Sequence, residues 1–134
     1  MTAIHLKHTP VLQEADIPLS SSKSESNRAL VIQALSANPI ELSNLSDARD
    51  TQTMMRLLKS DDETWDVLDA GTTMRFLCAF AAVGEQKRVL TGTKRMQQRP
   101  IKILGDALKS LGAKIKYLNK EGYPPLAKIG RAHV

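Results

Sequence analysis

WDVLDAGTTMRFLCAFAAVGEQKRVLTG, residues 65–92, decides the fold. Its first five residues, WDVLD, read as a strand. A glycine at 71 opens a turn, and GTTMRFLCAFAAV then runs as a helix with almost no polar face, the mark of a helix buried on several sides. KRVLTG returns as a second strand. Strand, buried helix and strand in succession place the chain in the mixed α/β class.

Outward from this stretch the pattern continues. Downstream, TKRMQQRP is a basic loop and IKILGDALKSLGA a helix, with Ile101, Leu104, Leu108 and Leu111 at helical spacing and Gly112 placed as its C-cap. KIKYL follows as a strand. Upstream, a helix from about Ser24 to Ala37 carries the apolar body ALVIQALSA, which also predicts burial, and stops at Asn38-Pro39. IELSNL alternates as a strand, and SDARDTQTMMRLLKS restarts a helix capped by Ser46 or Asp47, with Met54, Leu57 and Leu58 on one face. Residues 3–7 and 11–17 read as short strands around Pro10. The helix endings RLLKS and DALKS, one supersecondary unit apart, point to a duplicated βα unit.

The 134 residues are 42% hydrophobic and 25% charged, enough for one modest domain with a core. A net charge of +5, from 19 Lys and Arg against 14 Asp and Glu, fits a solvated basic surface, an anionic small molecule or nucleic acid. Two Tyr, two Phe and one Trp, with no zinc-finger spacing, argue against nucleic acid. The single cysteine, Cys78, excludes an internal disulfide and sits in an apolar run, as a core residue does. His5 and His8 have no partner at metal-ligand spacing, so no metal site is expected. The N-terminus lacks a signal-peptide core and no stretch reaches membrane-spanning length, so a soluble, cytoplasmic protein is expected.

Three constellations bear on chemistry. In SSSKSESNRAL, residues 20–30, Ser22 with Glu25 fits a capping box and Ser24 is the alternative cap. Capping needs one hydroxyl, however, and this stretch supplies five beside Lys23 and Arg28. A helix N-terminus with its open N–H groups, a point charge and a guanidinium fork is a ready anion site. In DAGTTMRF, residues 69–76, Thr72 or Thr73 serves a plain turn as cap, while Gly71 lets a ligand approach bare backbone. Arg75 in so apolar a helix start predicts a buried guanidinium with an anionic ligand or an internal carbonyl as partner. In LTGTKRMQQRP, residues 90–100, Lys94, Arg95 and Arg99 precede a helix that Pro100 is suited to begin. Either they form a solvated basic loop, or the three stretches converge into a pocket for a ligand with several negative charges.

SKSESNRAL, DAGTTMRFL, LTGTKRMQQRPI and ALKSLGAKIKYLNKEGYPPL, in this order, resemble the 3-phosphoshikimate 1-carboxyvinyltransferase (EPSP synthase) family, from the first strand to about Leu126. The UDP-N-acetylglucosamine enolpyruvyl transferases share that fold but carry a lysine-asparagine-alanine string where this chain has KSESNRA. The resemblance implies repeated βαβαββ units of an inverse α/β barrel, incomplete in this chain. It implies transfer of the enolpyruvyl group of phosphoenolpyruvate to the 5-hydroxyl of shikimate 3-phosphate, with no cofactor, by a monomeric cytoplasmic enzyme. Lys23 is implied to touch both substrates, Ser24 and Arg28 to hold shikimate 3-phosphate, and Gly71 and Arg99 to hold phosphoenolpyruvate. Asp69, Thr72 and Arg75 would support them.

The chain departs from the family at several points. Ser21 and Ser22 precede Lys23 where glycine is usual, Asp69 replaces a common asparagine, Phe76 replaces a proline seen in some members, and the link from RLLKS to DAGTTMRF is short. Members are about three times as long, and the acidic groups and lysine that move protons in them lie in the later domain, so no catalytic residue is assigned here. Residues 1–19 are expected to form a strand segment belonging to the other domain, and residues 20–128 part of one enolpyruvyl transferase domain. IGRAHV, residues 129–134, fits the family poorly. It is what one frame of the sequencing adapter ATCGGAAGAGCACACGTC encodes, so a non-native tail is expected there.

Overall fold

A computed structural model describes residues 2–8, 11, 14 and 16–130. Its elements in chain order are α1 (Lys23–Leu35), α2 (Arg49–Leu58), β1 (Thr64–Asp66), α3 (Gly71–Val83), β2 (Arg88–Thr91), α4 (Lys94–Gln97), α5 (Lys102–Ser110), β3 (Lys114–Tyr117) and β4 (Leu126–Gly130). β1 and β2 pair in parallel across α3, with Trp65 opposite Leu90. β4 runs antiparallel to both β2 and β3, which gives the order β1-β2-β4-β3. From β1 onward the chain is therefore one βαβαββ unit, the fold class its sequence implies, with α1 and α2 packed beside it.

The expected buried helix is the spine. Met74, Leu77, Cys78 and Ala81 of α3 meet Trp65 and Val67 from the β1 strand and its exit, Leu90 of β2 and Leu126 of β4. Met54 and Leu57 of α2 and Leu30 of α1 close the other side. Burial pushes the Cys78 thiol up to about 12, so this cysteine is a core residue and no nucleophile. Its folded-state value lies above its unfolded one, so its contribution to stability is complete below pH 9 and is lost as pH rises toward 12. Lys128 is buried at the far end of α3, where its ammonium donates to the carbonyls of Gly84 and Gln86 and so meets the negative end of the helix.

α5 ends as predicted. Gly112 has φ 91° and donates to the Lys109 carbonyl at 2.9 Å, while Ala113 donates to Leu108 at 3.0 Å, the paired bonds of a Schellman cap.

Local pattern misleads where an element needs a partner. Residues 3–7 are not a strand: they are exposed, and no described strand lies beside them to take their backbone groups. Expectations for 11–17 fall partly, and those for Arg131–Val134 wholly, outside the described residues; the backbone of Ile129 and Gly130 continues β4. IELSNL forms no strand. It runs as an irregular segment whose Leu42 and Leu45 pack on the core, with the Ile40 carbonyl accepting from Gln33 Nε2 at 2.6 Å.

The α1 helix is not buried by its apolar body. Ile32 and Leu35 are 62% and 57% exposed, whereas Ser26 and Asn27 are buried, because the face toward α2 carries the polar residues. Leu111, expected on the apolar face of α5, is also exposed, since it follows the last helical turn. Neither Ser46 nor Asp47 caps α2, nor does Thr72 or Thr73 cap α3. The cap positions fall at Ala48 and Ala70, which offer no side-chain acceptor. The basic loop contains one helical turn, α4, capped by Thr93 Oγ1, which accepts from the Met96 N–H at 3.3 Å.

Gly105 of α5 lies against Tyr117, whose buried hydroxyl has no partner among the described residues. A Cβ on residue 105 would come 2.0 Å from that oxygen. Gly105→Ala is expected to cost about 1–3 kcal/mol by overpacking. Adding Tyr117→Phe should restore part of the loss, and thermal denaturation of the single and double variants checks both.

Candidate functional site

In an open sheet with parallel strands, ligands bind beyond the carboxyl ends of those strands. Here β1 and β2 end in loops that are tied together: Val67 donates to the Thr91 carbonyl and Thr93 to the Leu68 carbonyl, both at 3.0 Å. Leu68 reaches this crossing with φ 57°, and a Cβ on Gly92 would come within 2.4 Å of the Leu68 oxygen, so only glycine fits there.

α3 starts at this edge without a side-chain cap, so its first N–H groups, at buried Gly71, half-buried Thr72 and buried Thr73, have no side-chain acceptor and the positive end of the helix dipole lies there. The Arg99 guanidinium lies over that turn. A Cβ on Gly71 would be 2.6 Å from Arg99 Nη1 and 3.4 Å from Arg75 Nη1. Glycine, an open helix end and two guanidinium groups thus share one spot, an arrangement suited to a phosphate or carboxylate.

Arg75 is exposed, contrary to expectation. Its partners are the Gly71 and Pro100 carbonyls, at 3.0 and 3.3 Å, so the internal alternative holds and the side chain bridges the start of α3 to the start of α5. Thr72 is half-buried.

The N-termini of α1 and α2 meet the same edge. Thr73 Oγ1 donates to the Asp50 carbonyl at 3.0 Å, and the Asp50 carboxylate pairs with Lys23 Nζ at 3.4 Å. Ser26 Oγ accepts from the Ser46 N–H at 2.9 Å, and Ser20 Oγ donates to Asp47 at 2.5 Å. Ser22 is the cap of α1: its hydroxyl accepts from the Glu25 N–H at 3.3 Å, the forward half of the expected capping box. Asp69 does not stand as a bare negative charge, because Arg49 Nη1 lies 3.5 Å from its carboxylate.

The structure thus joins Lys23, Asp69, Gly71, Arg75 and Arg99 to one end of the sheet. Ser24 and Arg28 lie exposed on the first two turns of α1. Asp50 and Arg49 escaped the sequence reading. An acidic residue in the first turn of an uncapped helix was the available signal, since it complements the helix dipole.

The family model described as EPSP synthase (3-phosphoshikimate 1-carboxyvinyltransferase) matches residues 8–67 and 57–134. The chain belongs to this family. It is 51% identical over 127 residues, 95% of its length, to the 3-phosphoshikimate 1-carboxyvinyltransferase of Bacteroides fragilis, and covers 31% of that protein. It is 40% identical to that of Sulfurovum sp. over 152 positions, covering 94% of this chain and 35% of the relative. The chain thus spans about a third of the length of the curated relatives it matches. Among solved structures, EPSP synthase from Acinetobacter baumannii superposes with a TM-score of 0.77 at 18% identity over 85% of this chain and 31% of that one.

The Sulfurovum match needs more positions than the Bacteroides match to cover the same share of this chain. The two family-model segments also overlap on residues 57–67.

Gly71→Ala is expected to displace the mobile end of Arg99 while leaving stability within about 1 kcal/mol of the parent. Affinity for inorganic phosphate, followed by NMR titration of the α3 amides, should fall about tenfold.

Proposed function

We propose that this chain is the part of an EPSP synthase that holds phosphoenolpyruvate and the phosphate of shikimate 3-phosphate, in an enzyme that transfers the enolpyruvyl group to the 5-hydroxyl and releases phosphate. The observation that carries this reading is the uncapped N-terminus of α3 at Gly71 beneath the Arg99 guanidinium. Phosphoenolpyruvate, a small polyanion, suits such a place. Lys23, held at the same edge through Asp50, is the cation between the two substrates, and Ser24 and Arg28 on the exposed side of α1 take the second phosphate. Both substrates are negative and repel each other. Fixed cations and helix ends that offset the repulsion and set the reacting distance lower the barrier by positioning and by electrostatics.

The reaction adds the 5-hydroxyl oxygen to C2 of phosphoenolpyruvate while C3 gains a proton; C3 then loses a proton as phosphate leaves C2. That needs a general acid and base. The carboxylates of Asp50 and Asp69 are engaged by Lys23 and Arg49, which leaves them poorly placed for either role. The proton path therefore belongs to parts of the enzyme beyond this chain. Substrates that are small molecules, a monomeric full-length enzyme and a cytoplasmic location belong to the same proposal. No helix of the described residues is long and apolar enough to cross a membrane, and they hold no group of three His, Cys, Asp or Glu that suits a metal ion.

The purified chain is expected to bind shikimate 3-phosphate in a salt-dependent titration, with Lys23→Ala and Arg28→Ala each weakening it about tenfold. It should form no product from both substrates. A folded chain that ignores the ligand overturns the binding role, and measurable phosphate release with product overturns the assignment of the proton path elsewhere.

A further inference from the structure

About 20 Å from Gly71, at the other end of α3, the short passage from α2 to β1 leaves a cavity of about 410 Å³. Its walls are apolar where Leu58, Trp65, Phe80 and Ala81 line it, and its rim is charged. The Trp65 and Phe80 rings stack at 6.2 Å and 25°, and the Arg88 guanidinium lies 4.8 Å over the indole. Arg88 donates through Nη1 to the Asp61 carbonyl at 3.3 Å and through Nη2 to Gln86 Oε1, which brings Asp61, Gln86 and the guanidinium to one lip of the opening. The indole N–H of Trp65 is buried with no acceptor among the described residues, a donor whose desolvation nothing there offsets. The volume is that of a small-molecule site.

We propose that this cavity is a second small-molecule site that takes an aromatic α-amino acid or a ligand of the same build. The planar body enters beside Phe80 and Trp65, as paired aromatic walls favour. The head must carry both charges, because the rim does: Arg88 meets the carboxylate and Asp61 meets the ammonium. A plain anion would face the Asp61 carboxylate and a plain cation the guanidinium. The site is independent of the transfer reaction, since it shares no residue with the Gly71–Arg99 edge.

Trp65 is the only tryptophan of the chain, so its fluorescence reads the cavity directly. Titration of the chain with phenylalanine is expected to give a saturable shift of the Trp65 emission. Phenethylamine and 3-phenylpropanoate, which each lack one charge, should bind about tenfold more weakly, a difference of about 1.4 kcal/mol. Arg88→Gln and Asp61→Asn should each weaken phenylalanine to a similar degree with the far-ultraviolet circular dichroism unchanged. If removing the stacked guanidinium unfolds the chain, Asp61→Asn carries the test, since no hydrogen bond among the described residues uses its carboxylate. Saturating inorganic phosphate should leave the titration unaltered. A linear, unsaturable response, equal binding of the one-charge analogues, parental affinity in Asp61→Asn, or competition by phosphate each overturns the proposal.

Discussion

The missing Cβ of residue 71 is what the proposed anion site rests on. A guanidinium can lie over the first turn of a helix only if no side chain stands between them, and Arg99 occupies the volume that any other residue at 71 would claim. The first turn of α3 also has no side-chain cap, so the helix dipole and the cation act on one point and not on two. Arg75 then fixes the geometry from below by holding the Gly71 carbonyl and tying it to Pro100. The loops that make this approach possible depend in turn on Gly92, which passes over the Leu68 carbonyl.

Around that point the fold is economical in how it gathers charge. The parallel pairing of β1 and β2 sends both connections to one edge, and the packing of α1 and α2 against α3 brings their N-termini there too. Asp50 holds the arrangement together: its carbonyl takes the Thr73 hydroxyl and its carboxylate takes Lys23. A single residue thus sets the spacing of three helix ends. The opposite end of the sheet carries an aromatic pair and a stacked arginine, with charged residues at the rim of its cavity.

The elements that were readable from sequence share a property: each carries its own reason to form. α3 buries most of its surface, α5 has an apolar stripe and a glycine cap, and α1 begins with a serine whose hydroxyl reaches the third helical N–H. The failures share the opposite property. IELSNL and residues 3–7 alternate like strands, but a strand forms only against a ladder partner, and none of the described strands lies beside them. The α1 body reads as buried because its residues are apolar. Yet Ile32 and Leu35 are exposed, and the side that packs joins Leu30 to polar Ser26 and Asn27, with Asn27 wholly buried and unpaired among the described residues.

Local patterns were enough to state the class, the resemblance of the motifs to state the family, and both to single out the glycine and arginines that the structure brings together at one edge. These are properties of short windows: a Cβ-less turn, a cation beside it, a helix with no polar face. Whether Arg75 is buried, which residue neutralises Asp69, what holds Lys23 and where the helix caps fall were decided only by the tertiary structure. Each of these depends on groups distant in the chain, as in the Arg49–Asp69, Lys23–Asp50 and Arg75–Pro100 contacts. Electrostatic partners are chosen by distance in space, and no local pattern in the sequence encodes that distance.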